Sequence, residues 1–213
     1  MTEAPDPIGL FREWAARAAR SDILEPDAAA LATVDSRGNP SVRMVLVRSA
    51  DERGFVFYTN LESRKGKEIL GRKGKDAPVR QGTEGAHVAE GAPVALCFWW
   101  PPLLRQVRVE GRATPVTDAE ADAYWATRAR DSQVGAWASR QSAELTRGRE
   151  ELTAKFDELA RSLPEQVPRP AFWSGFRIEP QRIEFWEGRP HRLHHRVLYE
   201  REGRGWVTKI LSP

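Results

Sequence analysis

The stretch 28-AAALATVDSRGNPSVRMVLVRSADERGFVFYTN-60 holds three short apolar runs separated by two turn-rich breaks. The later runs, 41–48 and 55–60, are rich in Val, Phe and Tyr, residues that suit a pleated, half-buried surface. The breaks 36-SRGNP-40 and 49-SADERG-54 carry Gly, Asn, Pro, Asp and Ser, the residues that reverse a chain. Parallel strands need a crossover of about a dozen residues or more, and neither break is that long. The stretch therefore predicts three antiparallel strands in a meander, and with them a sheet-based fold.

Working outward, 7-PIGLFREWAARAAR-20 predicts an amphipathic helix with Leu10, Trp14 and Ala18 on one face. Residues 62–70, ESRKGKEIL, predict a short helix after the turn at Thr59-Asn60. The segment 71–93 is rich in Gly, Ala and charge and lacks a periodic apolar face, so a flexible surface loop is expected there. Strands are expected at 94–100 and 104–116; in the second, Gln106, Arg108 and Glu110 share one face and Val107 and Val109 the other. Thr117 with Glu120 three residues on forms a capping box for a helix carrying Ala121, Tyr124, Trp125 and Arg128. Residues 142–163 predict a longer helix with Leu152, Phe156, Leu159 and Leu163 on one stripe. After the Pro-rich run 164–173, strands are expected near 175–186, 192–200 and 205–211. No repeat or linker divides residues 1–213, so the expectation is a single domain, mainly β with inserted helices, closed as a small barrel.

Composition excludes several classes. The single cysteine, Cys97, cannot form an intramolecular disulfide or a Cys-based zinc cage. The N-terminal run lacks the pattern of a signal peptide, and no stretch approaches the ~18 apolar residues of a membrane span, which points to a cytoplasmic protein. Phosphate-loop, dinucleotide-loop and HExxH motifs are absent. His191, His194 and His195 do not converge on one face of a strand, so no metal is expected. A formal charge of +3 suits an acidic small molecule as readily as nucleic acid. No concentrated basic face interleaved with aromatics supports the latter.

Cationic and amide side chains cluster at strand ends and turns: Arg43, Arg48, Arg64, Lys65, Gln106 and the pair Gln141-Ser142. That pair would precede the long helix, where free backbone N–H groups favour an anion. Arg43 and Arg48 face opposite ways in a regular strand, so a shared ligand requires a bend or bulge between them. Read as a strand, 191-HRLHHRVLYE-200 aligns Arg192, His194 and Arg196 on one face. An edge guarded by charge and a groove for an anionic ligand are both open readings. Together these groups suggest a phosphate cradle with amides for a polar ring edge.

The runs 43-RMVLVR-48, 57-FYTN-60, 63-SRKGKE-68, 105-RQVRVEG-111, 130-RDSQVGAWASRQS-142, 182-RIEFWEG-188 and 192-RLHHR-196 resemble the pyridoxamine (pyridoxine) 5′-phosphate oxidase family. That resemblance spans roughly residues 28–213 and implies an FMN-binding split β-barrel, homodimeric, with the flavin at the dimer interface. It implies FMN contacts from Arg43, Met44, Val45, Leu46, Val47, Arg48, Tyr58, Thr59, Arg64 and Lys65. Gln106, Gln141, Ser142, Trp186 and Arg196 would complete the cofactor site. Substrate contacts would come from Arg48, Tyr124, Arg128, Ser132, Arg192 and His194, with Arg192 and His194 lying over the substrate ring as the catalytic pair. The implied reaction oxidises pyridoxamine 5′-phosphate or pyridoxine 5′-phosphate to pyridoxal 5′-phosphate with dioxygen, releasing hydrogen peroxide. Two alternatives are a related split-barrel FMN oxidase of a reduced aromatic, of the phenazine type, and a non-catalytic flavin-binding or basic module.

The sequence departs from the family pattern at Arg48, where Lys is usual, and at His195, where Asp is usual. The 71–93 segment has no counterpart of that length. The Arg- and Tyr-containing segment that family members carry ahead of the first helix has no match, so closure over the substrate is expected to come from elsewhere or to be weaker.

Overall fold

The computed structural model describes residues 6–71 and 91–213. The first helix, α1 (Pro7–Ala19), starts where its residues dictate: the Asp6 carboxylate accepts the N–H groups of Ile8 and Gly9 at 2.9 and 2.8 Å, and Pro7 fills the first turn. Its buried face is Ile8, Phe11, Trp14 and Ala18, while Leu10 is only half-buried. The expected face is thus rotated. Phe11, one residue on from Leu10, meets the rings of Phe55 and Phe98 at 4.9 and 4.8 Å, and that packing sets the helix orientation.

The meander is present as β1 (Ala28–Val34), β2 (Pro40–Asp51) and β3 (Gly54–Asn60), paired antiparallel in sequence order. Helix α2 (Arg64–Leu70) follows. Of the expected loop at 71–93, Gly71 caps α2, Ala92 and Pro93 already pair in a strand, and residues 72–90 lie outside the described residues. The sheet continues with β4 (Ala92–Trp100), β5 (Arg105–Pro115), β6 (Trp173–Glu187), β7 (His195–Glu202) and β8 (Gly205–Ile210). Strand order is β3-β2-β1-β4-β5-β6-β7-β8, and β3 also pairs with β6.

That last pairing closes six strands into a barrel. It depends on the length of β6: Trp173–Ile178 pair with β3, Arg182–Glu187 pair with β7, and β5 runs alongside both halves. One strand therefore seals the barrel and also carries the β7–β8 hairpin away from it. Closure brings backbones close at Gly54 (φ +122°), where a Cβ would lie 2.0 Å from the Ile178 carbonyl oxygen, so only glycine fits. Alternation along β5 places Val107 and Val109 inside, as expected, with Phe55, Phe57, Phe98, Phe176 and Ile178 around them. Among the described residues no helix is long and apolar enough to cross a membrane.

Three helices cover one flank of the barrel: α3 (Asp118–Ala126), α4 (Arg130–Ala138) and α5 (Arg149–Ser162). The Thr117–Glu120 capping box is formed on both sides, at 3.2 and 3.0 Å. Two expectations change. A separate helix, α4, occupies 130–138; its start at Ala129 has no side-chain cap, so the sequence signal for it is weak. The long helix begins at Arg149 rather than 142, after Gly148 at φ +75°. Its stripe of Phe156, Leu159 and Leu163 does pack, half-buried, against Trp125, Val134, Val167 and Trp173.

Candidate active site

Between β2, β3 and the helical flank lies a cavity of about 380 Å³. The β2–β3 register shifts between Val47, opposite Phe57, and Ser49, opposite Val56, which leaves Arg48 as the extra, bulged residue. Arg43 is not among the residues lining the cavity, so the bulge does not bring Arg43 and Arg48 to one lining. Met44, Leu46 and Arg48 line the cavity along β2, and Val45 touches it although its side chain belongs to the core. Val47 faces the barrel interior instead. Arg48 also donates to Asp27 Oδ2 at 2.6 Å.

One wall is aromatic. The Tyr58 and Tyr124 rings stack at 4.0 Å and 9°, and Trp173 lies parallel beyond Tyr58 at 5.5 Å and 6°. Tyr124, Arg128 and Ser132 all line the cavity, although the helix breaks between them, with α3 ending at Ala126 and α4 starting at Arg130. The break is spanned by Arg128 Nη2, which donates to the Ser132 carbonyl at 3.0 Å, while the guanidinium sits 5.0 Å from the Trp173 ring centre. Arg128 Nε is buried with no hydrogen-bond partner. Burial lowers the Arg128 pKa, yet guanidinium stays protonated. The Arg128 guanidinium lines the cavity as a cation, which favours an anion there.

The other cations gather at α2. Ser63 caps this helix by accepting the Gly66 N–H at 3.2 Å. Lys65 Nζ donates to Gln141 Oε1 at 2.8 Å, Thr59 Oγ1 donates to the same oxygen at 3.1 Å, and the Arg64 N–H donates to Ser142 Oγ at 3.2 Å. Gln141 and Ser142 thus take their place through α2 and β3, not as a cap of the long helix. Arg64 and Ser142 border an adjoining recess rather than the main cavity. Arg43 reaches Glu68 Oε2 at 3.2 Å and Ser41 Oγ at 2.6 Å. Burial, reinforced by the Arg43 charge, pulls the Lys65 pKa down to about 8, and among the described residues Lys65 has no carboxylate partner.

Glu68 was not singled out from the sequence, although its i,i+4 spacing from Arg64 is the available signal. Burial pushes its pKa up, but hydrogen bonds from Thr33, Ser41 and Arg64 and the charge of Arg43 outweigh this and hold it at about 2. A carboxyl depressed from its ordinary 4.5 contributes stability that is present above pH 4.5 and lost as pH falls through 2. Acid unfolding of the wild type should therefore extend through that window. Glu68→Gln should flatten the slope there; an unchanged stability–pH profile would refute the assignment.

A second group of expected residues lies elsewhere. Register places Gln106, Trp186 and Arg196 side by side across β5, β6 and β7. Neither these three nor Arg192 and His194 line the cavity. The expected strand face of Arg192, His194 and Arg196 is corrected: Pro190–Arg192 form a 3-10 turn, His191 and Arg192 have φ of +58° and +61°, and β7 starts only at His195. Pro190 supplies no N–H and fixes its own φ, so alternation does not extend upstream. His194 packs on Trp186 with ring centres 4.6 Å apart, and its Nδ1 accepts the Arg189 N–H at 3.2 Å. Around this group Trp99, Leu104, Leu193 and Ile210 are 46% to 70% exposed. Among the described residues no cluster of three or more His, Cys, Asp or Glu could hold a metal ion.

A closed six-stranded antiparallel barrel whose wall carries cations, stacked phenols and amides around one cavity has the architecture of the split-barrel flavin proteins that the sequence runs resemble. Residues 15–187 match the family described as pyridoxamine 5′-phosphate oxidase, and residues 173–213 match the pyridoxine 5′-phosphate oxidase C-terminal dimerisation region. The chain belongs to the pyridoxamine 5′-phosphate oxidase family. It is 52% identical over 211 residues to the pyridoxine/pyridoxamine 5′-phosphate oxidase of Anaeromyxobacter dehalogenans, covering 99% of this chain and 96% of that one. The protein of the same name from Rubrobacter xylanophilus is 50% identical, over 98% and 88%. Among solved structures, PhzG from Burkholderia lata 383 in complex with tetrahydrophenazine-1-carboxylic acid superposes with a TM-score of 0.83 at 35% identity, over 99% and 94%.

Proposed function

We propose that this chain is an FMN-dependent oxidase that converts pyridoxamine 5′-phosphate or pyridoxine 5′-phosphate to pyridoxal 5′-phosphate, with dioxygen as acceptor and hydrogen peroxide as by-product. The observation that carries the reading is one cavity lined by cations at two places: Lys65, which feels the charge of Arg43 just outside the lining, and Arg128 beside Arg48. A phosphorylated cofactor and a phosphorylated substrate need two such places. The residues fit FMN: Lys65 is a desolvated cation bound only to amide and hydroxyl oxygens.

When bound, FMN supplies acceptance of a hydride from the substrate C4′ carbon and is returned to its oxidised form by dioxygen. The chain supplies position and charge. Lys65, Arg43 and Arg64 hold the cofactor phosphate, with Gln141 and Ser142 as neutral partners. Arg128, Tyr124 and Ser132 hold the substrate phosphate, and Arg48 reaches the same space from the β2 bulge. Orienting the donor carbon contributes several kcal/mol to the barrier reduction.

Gln106, Trp186, Arg192, His194 and Arg196 complete the cavity of the other subunit in a homodimer, the flavin lying across the seam. The exposed apolar side chains around them and the dimerisation match at 173–213 support this arrangement. In that assembly residues 1–213 act as one domain, Arg192 and His194 cover the substrate ring, and neither nucleic acid nor membrane takes part.

The 0.83 superposition on PhzG favours a second reading, oxidation of a reduced phenazine-type acid at the same flavin. Oxygen uptake by FMN-loaded protein separates the two. Turnover of pyridoxine 5′-phosphate and pyridoxamine 5′-phosphate is expected, with the unphosphorylated vitamers at least ~100-fold poorer, since the lost anion contacts are worth about 3 kcal/mol. No turnover of either phosphorylated compound would move the assignment to the aromatic acid.

A further inference from the structure

Among the described residues only two charged side chains are buried, Glu68 and Glu184, and each bridges two arginines. Glu68 lines the recess beside the cavity, between Arg43 and Arg64. Glu184 stands on the outer face of β6, between Ile183 and Phe185, which belong to the core. Its Oε1 accepts Arg196 Nε at 2.8 Å and its Oε2 accepts Arg108 Nη1 at 3.2 Å. The two arginines flank it from neighbouring strands.

Arg196 is clamped a second time. Its Nη1 donates to the Ser212 carbonyl at 2.8 Å, and its own carbonyl accepts the Leu211 N–H at 3.0 Å. Two of its three guanidinium nitrogens are therefore committed, and among the described residues Nη2 has no acceptor. Hydrogen bonding to Glu184 also raises the Arg196 pKa, so the side chain is a fixed cation with one donor to offer. A buried carboxylate between guanidinium groups contributes little net stability, because desolvation offsets the attraction. Stability alone is a poor account of this pair.

We propose that Glu184 is a positioning residue for Arg196, holding Nη2 as the donor presented to the flavin and offsetting the guanidinium charge so as to set the flavin's reduction potential. This rests on the assignment of Arg196 to FMN made under Proposed function. A cation beside the flavin favours the negative charge that arrives with the electrons. The carboxylate tempers that effect, and its two-point hold keeps the fork from swinging.

The test is a redox titration of FMN-loaded wild type, Glu184→Gln, Arg196→Gln and the double variant, with steady-state kinetics on each. Glu184→Gln should shift the midpoint potential to more positive values and lower kcat about 10-fold with a smaller change in KM. In the Arg196→Gln background the same substitution should shift the potential by less than half as much, since the effect runs through that side chain. An unmoved potential in Glu184→Gln, or an equal shift with and without Arg196, overturns the proposal. Should Glu184→Gln fail to fold, Glu184→Asp carries the test: it keeps the charge but shortens the reach, so kcat should fall while the potential stays near wild type. Wild-type kcat in Glu184→Asp would overturn it. A wild type that takes up no FMN would instead overturn the oxidase reading, and this inference with it.

Discussion

Lys65→Ala is expected to raise the dissociation constant for FMN about 100-fold while changing riboflavin binding by no more than a few-fold. Removing one member of a desolvated, hydrogen-bonded charge pair costs about 2–5 kcal/mol, and 100-fold corresponds to about 2.7 kcal/mol. The discrimination follows from location: Lys65 meets Gln141 and Ser63 and lies close enough to Arg43 to feel its charge, and it is assigned to the phosphate that riboflavin lacks. The pH dependence carries the same signature. With its pKa near 8, Lys65 is charged below that value and increasingly neutral above it. A phosphate monoester loses its second proton near pH ~6. Binding of the dianion favours protonated Lys65, so the contribution is fully present below pH 8 and is lost as pH rises through the value raised by the ligand. FMN affinity should therefore be highest between about pH 6 and 8 and fall above that window, and Lys65→Ala should abolish the fall. Fluorescence titration of the apoprotein with both flavins measures all of this; equal loss for FMN and riboflavin would remove Lys65 from the phosphate site.

The second large effect concerns assembly. Lys65→Ala and Arg196→Ala homodimers should each have little activity, whereas a heterodimer of the two, purified through different tags, should recover about half the wild-type activity. In a two-fold assembly with sites built from both chains, one site of that heterodimer collects both defects and the other is intact. Were Lys65 and Arg196 to serve the same site from one chain, every site would carry a defect and the heterodimer would be as inactive as its parents. The separation of the two residue groups within the single chain, one around the cavity and one on the β5–β6–β7 row, motivates the experiment.

Most strands were legible because alternation is a local property: 28–60 reads as three strands without reference to the rest of the chain, and Val107 and Val109 point inward as their spacing requires. The Thr117 capping box was equally local. Legibility failed where a neighbour from far along the chain decided. Phe11 rather than Leu10 centres the α1 face because Phe55 and Phe98 await it. Helix α4 forms against Val167 and Trp173, although its sequence carries no cap. Pro190 and two residues in positive φ removed Arg192 and His194 from the strand that alternation assigned them.

The cofactor residues divide in the same way. Their identities lay in the linear text, as runs such as 43-RMVLVR-48 and 63-SRKGKE-68. Their grouping did not. That Arg48 is the bulged residue, that Gln141 is held by Thr59 and Lys65, and that Glu68 and Glu184 are the two buried acids among the described residues are outcomes of register and packing between residues tens of positions apart. By itself, then, the chain's order of residues determined which segments pleat or coil and which side chains carry charge. Only the closed barrel decided which charges meet, because the pairing of β3 with β6 joins residues more than a hundred positions apart, and no local periodicity encodes a contact of that reach.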